Sequence, residues 1–447
     1  MFFEISQILS ENLIFIGVLV FFVIGLLSLS RRRAQHVQST KKWDDAVEKK
    51  MNEPMTLHPR IDPTLCTGCT ACVSACPEGD ILQIIDHKAK LVEPTKCVGH
   101  GQCQAACPME AITLVFGTKT RGMDLPMVNG DYETNVGGLY IAGELGGMGL
   151  IRNAVKQGNL AANNAVEKLA TPGKDKVDVL IIGAGPAGLS AAVTCVEKKV
   201  NYLLIEQNKF GGTIYNFPKQ KVVMSHPIEF PMVGRLKFTK NKVSKEELLS
   251  MWSKIRKTTN LKLMEETKFE TLKKSGDSFQ VVTSKGTLTA SKVILSMGVR
   301  GTPRKLGIPG EEMSKVTYNL LDPDQYRNKD IAVVGGGNAA VECAQYLSKP
   351  ELGNRVYLLV RGEMLDRCNE QNQEIIYRYR DEKRVSIQFN TSVKEVHKDY
   401  LVVDKEGKLL RLQNDFLFIF AGALLPFDFL KSIGIMIERK HGEPIRA

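Results

Sequence analysis

The 447-residue sequence predicts an α/β protein with two Rossmann-like dinucleotide-binding domains, a small α+β dicluster iron–sulfur domain and one N-terminal transmembrane helix. Three observations predict it. Two cysteine runs of nearly the same spacing lie between Cys66 and Cys107. Two glycine-rich turns, at Gly183 and Gly335, each follow an apolar, strand-like run. One apolar stretch, Leu13–Leu29, stands near the start of the chain.

Leu13–Leu29 is apolar apart from Gly17, Gly25 and Ser28, just long enough to cross a bilayer as a helix. Arg31, Arg32 and Arg33 follow at once and no positive charge precedes the run. That is the reverse of a signal peptide's charge order. The expectation is a single-pass anchor in the inner (cytoplasmic) membrane, with the domains after Arg33 facing the cytoplasm. A cleaved or uncleaved signal is the alternative. Residues 31–59 read as a basic tether, helical around Trp43–Met51. Lys41, Lys42, Lys49 and Lys50 there suit phospholipid headgroups; a solvated linker is the plainer reading. Net charge is +11, so the surface favours anions. The chain lacks the aromatic–basic interleaving that single-stranded nucleic acid sites use, so no nucleic-acid partner is expected.

Residues 60–116 form the iron–sulfur module. Its first run is Cys66-x-x-Cys69-x-x-Cys72-x-x-x-Cys76-Pro77 and its second is Cys97-x-x-His100-x-x-Cys103-x-x-x-Cys107-Pro108. This is the spacing of bacterial two-cluster ferredoxins, with one thiolate slot changed to imidazole. In such proteins the fourth cysteine of each run crosses to the other cluster. Cys66, Cys69, Cys72 and Cys107 should therefore hold one 4Fe–4S cluster, and Cys97, Cys103 and Cys76 the other, with His100 in the remaining slot. Three roles for His100 stay open: a ligand to the fourth iron, a bystander to a 3Fe–4S cluster, or a solvated side chain beside a water-ligated iron. Of the ten cysteines only Cys195, Cys343 and Cys368 lie outside the runs. This is not a disulfide framework, and it fits a reducing compartment.

Val177–Ile182 reads as a buried parallel strand. Gly183-Ala184-Gly185-Pro186-Ala187-Gly188 follows, then a helix through Cys195 and a second strand, Tyr202–Ile205, ending at Glu206. Gly183, Gly185 and Gly188 with Glu206 make a dinucleotide fingerprint in its full strand–turn–helix–strand–acid setting. The glycines let the backbone approach a pyrophosphate at a helix N-terminus. The unit recurs: Asp330–Val334 leads into Gly335, Gly337 and Ala340, a helix runs to Leu347, and a strand from Arg355 ends at Arg361. An arginine in place of the acid can hold a 2′-phosphate, which favours NADP over NAD. A solvated arginine beside an NAD site is the alternative.

Two such units in this order resemble the thioredoxin-reductase-like FAD/NAD(P) flavoproteins. Gly211-Gly212-Thr213 is similar to the segment that lies near the flavin ring in that family. Ser296-Met297-Gly298 resembles the exit from the FAD domain, and Ala421–Pro426 the exit from the nicotinamide domain. The resemblance covers roughly residues 120–447 and implies FAD at the first turn and NADP or NAD at the second. Its order differs. The family's closing C-terminal segment has no counterpart after Ala447, but Thr134–Glu144 is similar to it, with Gly143 and Glu144 at the flavin-binding position and Ala154, Gly158 and Ala161-Ala162 on the helix that follows. The expectation is a circular permutation, joined through Ala170–Lys176; completion of a neighbouring subunit's FAD site by swapping is the rival. The domain boundaries expected are 1–30, 31–59, 60–116, 117–170, 171–318 (FAD), 319–422 (NAD(P)) and 423–447, which returns to the FAD domain.

Thioredoxin reductases carry a Cys-x-x-Cys just before the second turn; this chain has Tyr318–Asp322 there. Bacillithiol-disulfide reductase-like proteins place a cysteine in the first turn, where this chain has Ala187. Cys195, Cys343 and Cys368 read as core fillers. A disulfide substrate is therefore disfavoured. NAD(P)H gives two electrons as hydride, a cluster takes one, and a flavin can do both. The function expected is membrane-anchored electron transfer between NAD(P)H, FAD and the clusters and a redox partner, in the manner of ferredoxin–NAD(P) reductases. No residue need act as a general acid or base. A redox-sensing or relay subunit without its own turnover is the alternative, and a homodimer is left open.

Overall fold

In the computed structural model, the backbone is described except at residues 1, 49–53, 55–56, 95–96, 148, 170–176, 225–227, 237–242, 300–301, 366, 425 and 445–447, and the side chains except also at 2–18, 32, 224, 302, 423–424 and 444. The expected linker Ala170–Lys176 thus lies outside the described residues. The chain divides into two compact units, residues 1–123 with 440–445, and residues 124–439.

The smaller unit begins with a long helix, α1 (Phe2–Glu48). Here the structure corrects the sequence. Among the described residues no helix is long and apolar enough to cross a membrane. Leu13–Val18 lie outside the described side chains. The membrane anchor and the inner-membrane location expected above are therefore not upheld. Nor is residue 31 onward a separate tether up to Glu48. It continues α1, with Ser39 and Ala46 buried, Lys42 paired with Glu93 and Lys90 over the Trp43 ring.

Two short helices, α2 (Ala71–Ala75) and α3 (Gln102–Ala105), each follow a left-handed residue, Thr70 and Gly101. The strands are β1 (His58–Ile61), β2 (Leu82–Ile85), β3 (Lys88–Leu91) and β4 (Ile112–Phe116). β2 pairs antiparallel with β3 and β1 with β4, and Glu443–Pro444 adds to the other edge of β4. Ile81, Leu82, Ala89, Leu91 and Ile112 form the core, with the cysteines packed around it.

Two large sheets dominate the larger unit. The first has seven strands: β5 (Leu139–Ile141), β6 (Val177–Ile182), β7 (Tyr202–Ile205), β8 (Leu263–Met264), β9 (Phe269–Ser275), β10 (Ser278–Thr283) and β11 (Gly286–Leu295). The path is β8-β7-β6-β11-β10-β9, and β5 also pairs with β11. β11 is long enough to serve two partners. Its first half runs antiparallel to β10, and its second half, Val293–Leu295, runs parallel to both β6 and β5. Apart from the buried Asp178, β6 and β5 are apolar without alternation, as strands covered on both faces tend to be. Helices α4 (Ile151–Glu167) and α5 (Pro186–Glu197) pack on this sheet and on each other. The second sheet is wholly parallel, in the order β12-β16-β13-β14-β15, from β12 (Val316–Thr317), β13 (Asp330–Val334), β14 (Arg355–Leu359), β15 (Val385–Gln388) and β16 (Phe416–Ile419). Helices α6 (Asn338–Leu347) and α7 (Glu370–Asp381) bury Ala340, Val341, Leu347 and Ile376 against it.

Candidate functional site

The cysteines form two separate sets. Cys66, Cys69, Cys72 and Cys107 line one cavity with Gly68, Ile84, Ala89 and Ile112. Cys76, Cys97, His100 and Cys103 line another with Pro59, Pro77, Ile81 and Leu114. Each set draws three ligand positions from one run and the fourth from the other. The reversal that allows it needs Gly68 at φ +70°, where an added Cβ would lie 2.4 Å from the His87 carbonyl oxygen. Backbone N–H groups point at the sulfurs: Ala89 N donates to Cys66 Sγ at 3.4 Å and Ala111 N to Cys107 Sγ at 3.3 Å. His100 Nε2 lies 3.2 Å from Glu78 Oε1, a neighbour with no motif to announce it.

Burial pushes the Cys72, Cys76 and Cys97 thiols up, and that of Cys103 up to about 12, with Cys97 adding to it. Crowded thiols in an apolar pocket do not ionise unaided; bound iron supplies the positive charge that makes them thiolates. Among the described residues no three His, Cys, Asp or Glu groups converge on a single-ion site. Iron–sulfur clusters need no such convergence, because each iron takes its own protein ligand. Four donors around each cavity, mostly cysteine sulfurs, suit clusters of this kind.

At the first nucleotide turn the three glycines do different work. Gly183 sits at φ +103°, and a Cβ there would lie 2.7 Å from the Ser296 carbonyl oxygen. A Cβ on Gly188 would lie 1.8 Å from the Gly183 carbonyl oxygen. A Cβ on Gly185 would meet nothing within 4 Å, which marks the face left open for a ligand at the N-terminus of α5. Glu206, 5% exposed at the end of β7, accepts from Ala184 N at 2.7 Å and Asn208 N at 2.9 Å, so it holds the turn. Gly212 comes up beside Gly185; a Cβ on it would lie 3.2 Å from Gly185 Cα, and Gly211 and Thr213 flank it.

The upstream segment reaches the same place. Gly143 N donates to the buried Gln157 Oε1 at 2.7 Å, and a Cβ on Gly143 would lie 3.1 Å from Ala187 Cβ. Glu144 stands by Gly298, where an added Cβ would lie 3.9 Å from its Oε2. Residues 143–144, 183–188, 206, 211–213 and 296–298 are thus gathered at one end of β5, β6 and β11. Gln157 carries no signal in the sequence. Gly158 is legible as a member of the small-residue face with Ala154 and Ala161.

The second turn repeats the scheme. A Cβ on Gly335 would lie 2.7 Å from the Phe420 carbonyl oxygen, Gly337 is open, and Ala340, fully buried, replaces the third glycine. Arg361 is exposed just after β14. Burial pushes the thiols of Cys195 and Cys368 up to about 12 and that of Cys343 well upward, so none is a poised nucleophile.

Comparison with known proteins agrees with this geometry. The pattern described as pyridine nucleotide-disulphide oxidoreductase matches residues 180–446, and a 4Fe-4S dicluster domain matches residues 58–108. The chain is 30% identical over 271 residues to a ferredoxin–NADP reductase of Ignicoccus hospitalis, covering 59% of this chain and 83% of the relative. It is 29% identical over 275 residues to bacilliredoxin reductase of Bacillus subtilis, covering 59% and 82%. Among solved structures it resembles the bacillithiol disulfide reductase of Bacillus cereus, with 27% identity and a TM-score of 0.54 over 59% of this chain and 82% of that one. The chain belongs to the pyridine nucleotide-disulphide oxidoreductase family of NAD(P)H-dependent FAD enzymes and carries, ahead of that region, a 4Fe-4S dicluster ferredoxin domain.

Proposed function

We propose that this chain exchanges electrons between NADPH and a one-electron redox protein, with FAD at the first turn and two iron–sulfur clusters as the route to the partner. The observation that carries the reading is the pair of cavities, each lined by four cluster-ligand positions, on the same chain as two nucleotide turns. The flavin, when bound, converts hydride transfer into single-electron transfer. The protein's own share is placement. Gly183, Gly185 and Gly188 admit the pyrophosphate, Glu206 braces the turn, Gly211, Gly212 and Thr213 approach the ring, and Gly143 and Glu144 close the other side. Gly335, Gly337 and Ala340 receive the nicotinamide nucleotide, with Arg361 at its 2′-phosphate. A disulfide substrate fits poorly, because the cysteines outside the cavities are three buried, scattered thiols. The names of the ferredoxin–NADP reductase relatives favour a ferredoxin-like partner.

Residues 117–170 read as the closing segment of the FAD domain, circularly permuted to the front of it. The parallel pairing of β5 on β11 and the packing of α4 on α5 support this reading. Cys66, Cys69, Cys72 and Cys107 would hold one 4Fe–4S cluster. Cys76, Cys97 and Cys103 would hold the second, with His100 on its fourth iron. Anaerobic addition of NADPH to the FAD- and iron-loaded protein tests the whole. The clusters should bleach with the flavin; a flavin that bleaches while both clusters stay oxidised refutes the reading. An oxidised 3Fe–4S signal by EPR at full iron loading would remove His100 as a ligand.

A further inference from the structure

Asn338 is the first residue of α6, directly after the open Gly337. Its Oδ1 accepts from Asn369 N at 2.9 Å and Asn372 Nδ2 at 3.2 Å, and Cys368 Sγ lies 3.4 Å away. The backbone N–H of Asn369 can only donate, so the atom facing it is the amide oxygen. One side chain on the glycine turn thus grips the far end of the loop that begins at Arg361. The loop also meets the turn through its backbone, where Arg367 bridges Gly337. From the other side Gln373 Nε2 donates to the carbonyls of Leu365 at 2.8 Å and Cys368 at 2.7 Å. Neither glycine spacing nor strand pattern singles out Asn338 for this task.

The geometry points to Asn338 as a positioning residue for NADP(H) selectivity: its amide oxygen holds the loop after β14 against the glycine turn, and so fixes where the Arg361 guanidinium can reach. This rests on the assignment of Arg361 to the 2′-phosphate. An arginine on a held loop loses little freedom on binding, whereas one on a loose loop must be ordered at the expense of affinity. The glycine turn has backbone bonds of its own, Gly335 N to the Leu359 carbonyl and Val341 N to the Gly337 carbonyl, which do not involve Asn338 Oδ1. Loss of the grip should therefore weaken NADP(H) and spare NAD(H).

The test uses the full-length, FAD-loaded, iron-loaded protein and measures Kd for NADP+ and for NAD+ separately by calorimetry. Asn338→Ala should raise the NADP+ Kd about tenfold and leave the NAD+ Kd within about twofold. Asn338→Asp keeps an acceptor oxygen and should restore most of the preference. Equal changes in both constants, or no change in their ratio, would overturn the inference and mark Asn338 as merely structural. Arg361→Ala separates the two levels. If it leaves the wild-type NADP+ preference intact, the Arg361 assignment is wrong and the inference falls with it. If Arg361→Ala abolishes the preference while Asn338→Ala does not, only the inference fails. Should Asn338→Ala not fold, Gln373→Leu releases the same loop from its α7 side, and an unchanged ratio in that variant is equally fatal.

Discussion

Gly158 lies on α4 where that helix crosses the start of α5, and a single methyl group there tests how the upstream segment joins the flavin-binding region. A Cβ on Gly158 would lie 2.0 Å from the Ala187 carbonyl oxygen, 2.8 Å from its carbon and 3.0 Å from Cα. All three are backbone atoms, so no rotamer change relieves the clash. Ordinary C···O contact is about 3.3 Å or more, so the helices must part by roughly 1.3 Å. Overpacking of this kind costs about 1–3 kcal/mol. Against it stands the gain of about 0.5–1 kcal/mol from replacing glycine by alanine inside a helix. The net loss is about 1–2 kcal/mol, and at about 2–4 °C per kcal/mol it should lower Tm by several degrees. The displacement also loosens Gln157, the neighbour that anchors Gly143 N, so FAD should be retained less well. Thermal unfolding and FAD content per chain read both effects. Gly185→Ala is the contrasting variant: its Cβ meets no protein atom within 4 Å, so Tm of the flavin-free protein should hold while FAD binding falls. If Gly158→Ala keeps both its FAD and its Tm, α4 does not pack on α5 as described, and the permuted reading loses its main support.

Three further outcomes are expected. Cys66→Ala and Cys107→Ala should share one EPR phenotype, loss of one cluster, and Cys76→Ala and Cys97→Ala should share the complementary one; a split by run rather than by cavity would contradict the pairing. Glu311 accepts from Leu306 N, Gly307 N and the Tyr318 hydroxyl. Burial raises its pKa, but these bonds outweigh burial and leave it below the ordinary value. Its stabilisation is thus complete above the unfolded pKa of about 4.3 and lost as pH falls through the lower folded value. Glu311→Gln should cost about 1–3 kcal/mol at neutral pH, and denaturant unfolding should show the gap closing in acid; a constant gap would be wrong for this mechanism. Deleting residues 441–447 removes Glu443–Pro444 from β4 and the Gly442 carbonyl that Arg60 contacts. Cluster loss on mild heating should then quicken, as followed by visible absorbance, and an unchanged rate would mean that the strand contributes nothing.

The cluster runs and both nucleotide turns were legible because their chemistry is local. Cysteine spacing sets which sulfurs can share iron, and a glycine between an apolar strand and a helix has few other uses. The strands Val177–Ile182, Tyr202–Ile205 and Asp330–Val334 appear where the pattern puts them. Leu13–Leu29 shows the limit of such reading. Apolar content alone suggested a span, but among the described residues no helix is long and apolar enough to cross a membrane, and the same helix continues into Ser39 and Ala46, buried within its own unit.

By itself the sequence determined the inventory: which residues can bind iron, where two nucleotides can approach backbone, and that the disulfide-reducing cysteines are missing. Only the tertiary structure decided the company they keep. Leu139–Ile141 could have paired with any free edge, and it is the second half of β11 that takes it. Glu78 beside His100, Gln157 beneath Gly143 and Asn338 over the Arg361 loop follow from chain crossings that no spacing rule encodes. The physical reason is range: propensity and ligand spacing act within a few residues, whereas burial and hydrogen-bond satisfaction are settled between segments that meet only when the chain has folded.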